Sequence, residues 1–392
     1  MFSFFTRQRA TVLLSHAAGI CLFFGGLSFG PGLRAQALSQ VLQPFVDAQQ
    51  MAGAVVLVGT ADRVLATETV GWRDRASGDP MRADTIFWIA SQTKPITATA
   101  VLMLVDEGKI RLEDPVSTYL PDFKDSWVQT ETSPTQRTLR PARSEMRVRD
   151  LLMHTSGLPA RSPIETPSLD LIPLATLVRS YSLLPLSSDP GTKYLYSNPG
   201  INTAGRLVEV VSGLPFDQFL EQRLFQPLAM KDTTFRPTSA QQARLARAYL
   251  TVGNQLEAKP IDALATPYDS PQRHTFPGGG LFSTAQDVYR FYQMLAHGGK
   301  VGETRLLSEK AVNEMTRKHT TPETGGNYGL GFAVGDDHFG HGGAYGTQSR
   351  YFPKTGLITI FLVQQVKWSD GGEKAFPSFL KAAADHYAPR TR

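Results

Sequence analysis

Residues 91–94, Ser-Gln-Thr-Lys, hold a hydroxyl and an amine three positions apart. On a helix that spacing puts both side chains on one face. A serine needs a base to become a nucleophile, and a lysine stripped of its proton can be that base. Lysine ordinarily titrates near pH 10.4, so half-neutralisation near pH 7 requires roughly 4–5 kcal/mol of burial or like-charge repulsion. If a helix begins at Ser91, its unpaired N–H groups also favour negative charge developing there. Taken alone, the tetrapeptide reads equally well as an ordinary helix start.

Two further runs add chemistry. Tyr196-Ser197-Asn198, within Gly191 to Gly200, can set a phenol and an amide on one side of a cleft. The phenol can take or give a proton, and the amide can hold a substrate carbonyl. The competing reading is an Asn-Pro turn beside a packed aromatic. The second run is His341-Gly342-Gly343-Ala344-Tyr345-Gly346. Glycines on an edge strand let a substrate backbone come close, and a backbone N–H there can face an oxyanion. The competing reading is a glycine-rich hairpin.

The elements that must carry these residues follow from pattern. Residues 53–59 read as a buried strand, and Arg63 to Val70 as its hairpin partner across a Thr60-Ala61-Asp62 turn. A helix begins near Ser91, with Ile96, Ala100, Met103 and neighbours at helical spacing, and ends at Gly108. Residues 121–148 are rich in Pro, Ser, Thr and Arg and predict a long surface loop or insertion. A mostly helical region runs to about residue 235. Gly278-Gly279-Gly280 precedes an amphipathic helix over 281–295, with Ser283 or Thr284 as its cap. Strands follow at 329–334, 347–352 and 357–363, then a helix over 373–386. In Leu151-Leu-Met-His-Thr-Ser-Gly-Leu158, His154 and Ser156 read as a helix end with Gly157 as its left-handed cap rather than as catalytic residues. Strands at both ends with helices between predict an α+β fold, an antiparallel sheet flanked by helices. The expected sheet domain is discontinuous, 38–105 with 275–392, and a mainly helical domain occupies 106–274.

Of the 392 residues, 41% are hydrophobic and 19% charged, which suits a folded core rather than a disordered chain. The net charge is +5, but Arg7, Arg9 and Arg34 lie in residues 1–37, which hold no acid, so the rest carries +2. No Lys/Arg run with interleaved aromatics occurs, so a nucleic-acid partner is not expected. Residues 1–37 read as a signal peptide: Arg7 and Arg9, an apolar stretch, then Ala35-Gln36-Ala37 with cleavage after Ala37. The expected product is exported, periplasmic or secreted, with no membrane span once the leader is removed. The only cysteine, Cys21, lies in that leader behind Ile20, so the mature chain has no disulfide and no thiol nucleophile.

Taken together and in order, Ser91-Gln-Thr-Lys-Pro-Ile-Thr97, Asp150 to Leu158, Tyr196-Ser-Asn198, Gly278 to Asp287 and His341-Gly-Gly343 resemble the penicillin-recognising serine hydrolases: class C β-lactamases, D-alanyl-D-alanine carboxypeptidases and related esterases. The resemblance covers nearly all of the chain beyond residue 37 and implies a β-lactamase/transpeptidase-like fold. It implies that Ser91 forms an acyl-enzyme with an ester or amide, with proton transfer shared by Lys94 and Tyr196. It also implies an oxyanion hole from the Ser91 and Ala344 N–H groups, and substrate contacts from Asn198, His341 and Gly343. No cofactor or metal is implied; the partner is a small-molecule ester, lactam or peptide. Lys354-Thr355-Gly356 spells the family's Lys-Thr-Gly triad, but it reads as a turn between two strands, and His341-Gly342-Gly343 is the better match. A lysine there would bind a substrate carboxylate; a histidine titrates near neutrality and carries less fixed charge, so carboxylate-bearing β-lactams should be poor substrates. No Gly-x-Ser-x-Gly elbow occurs, and Asp336, Asp337, His338 and His341 fit no zinc spacing. The sequence leaves open an enzyme with turnover or a penicillin-binding or sensing protein that acylates with little turnover.

Overall fold

The computed structural model describes residues 37–389, apart from 134, 254, 265 and 370. The proposed leader, save Ala37, lies outside those residues. Among them, no helix is long and apolar enough to cross a membrane.

The run Gly53–Gly59 (β1) is buried at every position. A strand buried on both faces reads as a continuous apolar run, and it needs layers on both sides. Val55 and Leu57 face one apolar cluster, and Ala54, Val56 and Val58 face another. Around β1 lie β2 (Val64–Asp74), β3 (Asp79–Pro80), β4 (Ala333–Val334), β5 (Phe339–Gly342), β6 (Gln348–Phe352) and β7 (Leu357–Leu362). They form one seven-stranded sheet in the order β4-β5-β6-β7-β1-β2-β3. Strands far apart in sequence therefore meet at its centre, where Val55 pairs antiparallel with Leu362. Helix α1 (Leu38–Asp47) and a last helix, Ala375–Tyr387, cover one face through Leu38, Leu42, Phe379 and Ala383.

The other face carries the helix that follows Ser91, α2 (Thr93–Asp106), in which every side chain from Thr93 to Leu104 is buried. Its end is a Schellman turn: Gly108 has φ +71°, with Gly108 N donating to Val105 O and Lys109 N to Leu104 O. The short strand Phe282–Ser283 pairs with Phe87–Trp88, which leads into Ser91. The helix Ala285–Ala296 follows, capped by the Thr284 hydroxyl.

Four expectations are corrected. Residues 121–148 are not simply loop: Trp127–Thr132 and Arg137–Pro141 form a hairpin. Its faces are mostly exposed, so no apolar alternation marks it in the sequence. The strand expected at 329–334 shrinks to Ala333–Val334, because Gly331 at φ +82° breaks the extended run. Its N–H and that of Leu330 bind the Leu152 and Met315 carbonyls instead. The edge-strand reading of His341 is corrected: its strand, β5, lies one in from the edge, with β4 outside it. Finally, the helix Val148–Leu152 (α3) is turned off by His154 itself, at φ +60°, rather than by Gly157.

Candidate active site

Ser91 lies in a 3-10 turn, Ala90–Gln92, immediately before α2, rather than at its first residue. Ala90 sits at φ +46°, a left-handed conformation that costs a non-glycine residue about 1–3 kcal/mol. The surroundings hold it there. Thr93 Oγ1 donates to Ala90 O at 2.7 Å, Ile89 N to Leu281 O at 3.0 Å, and Trp88 Nε1 to Gly279 O at 2.7 Å.

Lys94 is fully buried, with Nζ 3.0 Å from Ser91 Oγ, 2.8 Å from Asn198 Oδ1 and 2.5 Å from Gly278 O. Among the described residues, no carboxylate touches it. Burial lowers its titration to about 7, against a weaker upward pull from Glu165. In the neutral amine, the two carbonyl oxygens take both N–H groups. The lone pair then faces the Ser91 hydroxyl, as a base requires.

Tyr196 and Asn198 straddle the start of a helix, Asn198–Ser212, whose N-cap is Ser197, accepting from Gly200 N. The Tyr196 phenol faces Ser91, and Lys94 Nζ lies 4.7 Å from the ring centroid. Burial pushes the phenol well above its usual range, so it stays protonated. His154 packs against the Tyr196 ring at 4.4 Å and accepts from Ser197 N through Nδ1 at 3.1 Å. Burial drives His154 far below its normal range, so it is neutral there.

The hairpin of β5 and β6 closes the site. Gly343 N donates to Thr347 O, and Gly346 N to Gly343 O, in a tight turn. A Cβ on Gly343 would meet the Ile89 carbonyl oxygen at 2.5 Å, so only glycine lets this turn rest on the segment leading to Ser91. Ala344, next in the turn, is exposed. Among the described residues, neither its N–H nor that of Ser91 donates to a protein acceptor, which leaves two donors for a developing oxyanion.

His341 departs from expectation. Both ring nitrogens are engaged inside the protein, Nε2 with Tyr328 Oη at 2.8 Å and Nδ1 with Gly342 O at 2.7 Å. Burial, with Lys94 nearby, pushes it down to about 3. It therefore does not titrate near neutrality; it is a neutral wall residue. Lys354-Thr355-Gly356 lies in the turn between β6 and β7, with Gly356 N bonded to Phe352 O.

Ser91, Lys94, Asn198 and Gly278 thus form one hydrogen-bonded cluster, with the Tyr196 ring against Lys94 and the 343–344 turn resting beside it. Sequence reasoning placed Gly278 in a motif run but gave it no part as the base's third partner, and it missed the packing role of His154. It gave no weight to Glu165, Tyr181 or Asn202, isolated residues without a local pattern.

Comparison with known proteins agrees with this geometry. The family model described as Beta-lactamase matches residues 38–383. Protein Rv1367c of Mycobacterium tuberculosis is 33% identical over 352 residues, covering 81% of this chain and 87% of that protein. Esterase EstB of Burkholderia gladioli is 30% identical, covering 68% of this chain and 71% of its own. Among solved structures, EstCE1, a hydrolase with promiscuous acyltransferase activity, superimposes with a TM-score of 0.73 at 25% identity, over 88% of this chain and 97% of that one. The chain belongs to the beta-lactamase family and is a serine hydrolase of that family.

Proposed function

We propose that this protein hydrolyses uncharged carboxylic esters through an acyl-enzyme on Ser91, outside the cytoplasm. The observation that carries the reading is the fully buried Lys94 amine, held by the Asn198 and Gly278 carbonyl oxygens with Nζ 3.0 Å from Ser91 Oγ. In the acylation step Ser91 Oγ bonds to the ester carbon while its proton passes to Lys94. The carbonyl oxygen gathers charge against the Ser91 and Ala344 N–H groups. The C–O bond then breaks, and the alcohol leaves with a proton relayed from Lys94 through the Tyr196 phenol. Water attacks the acyl-enzyme, gives its proton to the same pair, and releases the acid with Ser91 restored. Asn198, fixed by Lys94 through Oδ1, has its Nδ2 left for the substrate.

Two features support esters over β-lactams. The neutral, internally bonded His341 stands where a charged lysine would hold a carboxylate. EstB and EstCE1 carry the words esterase and hydrolase in their names. Export rests on the leader-like residues 1–37. The test is a panel on protein lacking residues 1–37: short-chain aryl esters, a chromogenic cephalosporin and D-alanyl-D-alanine peptides. Steady turnover on the esters, absent in Ser91→Ala, is expected. A cephalosporin kcat/KM far above that for esters would overturn the preference, and a single burst without turnover would make the protein an acylating sensor instead.

A further inference from the structure

Lys94 also ends a hydrogen-bond chain that the steps above do not use. Glu165 closes a 3-10 turn, Pro163–Glu165, and is 5% exposed. Its Oε2 accepts from Ser162 N at 3.2 Å, and its Oε1 from Tyr181 Oη at 2.6 Å. Tyr181 Oη accepts in turn from Asn202 Nδ2 at 2.9 Å, and Asn202 Oδ1 from Gly278 N at 2.8 Å. Gly278 O accepts from Lys94 Nζ. Tyr181 and Asn202 are fully buried. The Pro277–Gly278 peptide is gripped from its other side too, where Thr97 Oγ1 donates to Pro277 O at 2.8 Å.

A buried carboxyl costs several kcal/mol where an apolar side chain would cost none. Here its hydrogen bonds lead, link by link, to the carbonyl that takes one N–H of the base. We propose that Glu165 is a positioning residue: through Tyr181, Asn202 and Gly278 it fixes the acceptor that orients the Lys94 lone pair. This rests on the reading of Lys94 as the base.

The charged and titratable groups around the pair are few. Lys94 faces Glu165, the Tyr196 phenol and the neutral His154 and His341. Glu165 faces Tyr181, Arg161 and Lys94. A carboxylate favours the ammonium form, so removing its charge lets Lys94 deprotonate at lower pH.

The experiment is the pH profile of aryl-ester kcat/KM for wild type, E165Q, E165D and Y181F, with melting temperatures read in parallel. E165Q keeps an oxygen for Tyr181 but loses the charge. Its acidic limb should move down by about half a pH unit or more. E165D keeps the charge but shortens the reach. It should lower the plateau and leave the limb in place. The plateau losses of E165Q and Y181F should not add in the double variant, because both act through one chain. A limb that stays at its wild-type position in E165Q overturns the proposal, whether the melting temperature falls or holds. Losses that add overturn it too. Absence of any wild-type limb near pH 7 would instead overturn the role of Lys94 as base.

Discussion

Among the described residues two cations are buried completely, and they meet opposite fates. Arg273 is 1% exposed and lies 3.1 Å from the equally buried Asp170. Its Nε donates to Phe235 O, and its guanidinium stacks over Tyr268 and Phe282 at 5.3 and 5.4 Å. Lys94 is as buried but has only neutral acceptors around it. A guanidinium cannot be deprotonated in a protein, so burying it demands a counter-charge. An amine can escape the same penalty by giving up its proton, and that release is what a general base needs. Burial alone does not mark a site; burial of a cation without a carboxylate in contact does.

The strongest way to break this contrast is to remove each partner. Lys94→Met should cut ester kcat/KM by about 10²–10⁴-fold, the usual worth of a positioned base. It should not destabilise the fold near pH 6. Lys94 titrates at about 7 in the folded chain and at 10.5 in the unfolded one, which amounts to roughly 5 kcal/mol of destabilisation below pH 7 that fades between pH 7 and 10.5. Methionine removes that cost but orphans two carbonyls, at about 1–3 kcal/mol each. Urea midpoints near or above wild type at pH 6, falling below wild type as the pH rises toward 10, are expected. A large loss of stability at pH 6 would show that Lys94 is held as a charged group.

Asp170→Asn probes the other side. It leaves the Arg273 charge buried and uncompensated, and should cost about 3–5 kcal/mol of unfolding free energy. Little loss in urea titration would mean that the aromatic and carbonyl contacts alone hold the guanidinium.

The contrast also marks how far the sequence could be read. Seven apolar residues in a row announced β1, and helical spacing announced α2, because burial leaves a periodic record. Ser91, Lys94, Tyr196 and Asn198 were legible by order and spacing, and the structure brings them together. The bounds of the strand that holds His341, and its place in the sheet, were not legible. Phe339-Gly-His-Gly342 has no alternation, and its place comes from pairing, His341 against Ser349. Nor was its protonation. A histidine looks titratable until its burial is known, and its neutral state follows from contacts with Tyr328 and Gly342. Glu165, Tyr181 and Asn202 share no local pattern, and only the fold joins them.

Gly343→Ala tests the oxyanion turn independently of either cation. The added Cβ meets Ile89 O at 2.5 Å, so the turn must move and carry the Ala344 N–H with it. Losing one such donor is worth about 2.7–4 kcal/mol, roughly 10²–10³-fold in kcat. The pH profile should keep its shape, since Lys94 is untouched.

The smallest effect sharpens the contrast most directly. Wild-type kcat/KM should fall tenfold per pH unit below about 7, as Lys94 takes up a proton, and level off above it. His341, pushed down to about 3, adds no limb in the acid range above pH 4. Tyr196, raised by burial, adds none near neutrality. A single acidic limb therefore reports the amine alone. Arginine would give no limb at any accessible pH, so a flat profile from pH 5 to 9 would mean that Lys94 behaves like Arg273, charged throughout, and that another group removes the Ser91 proton.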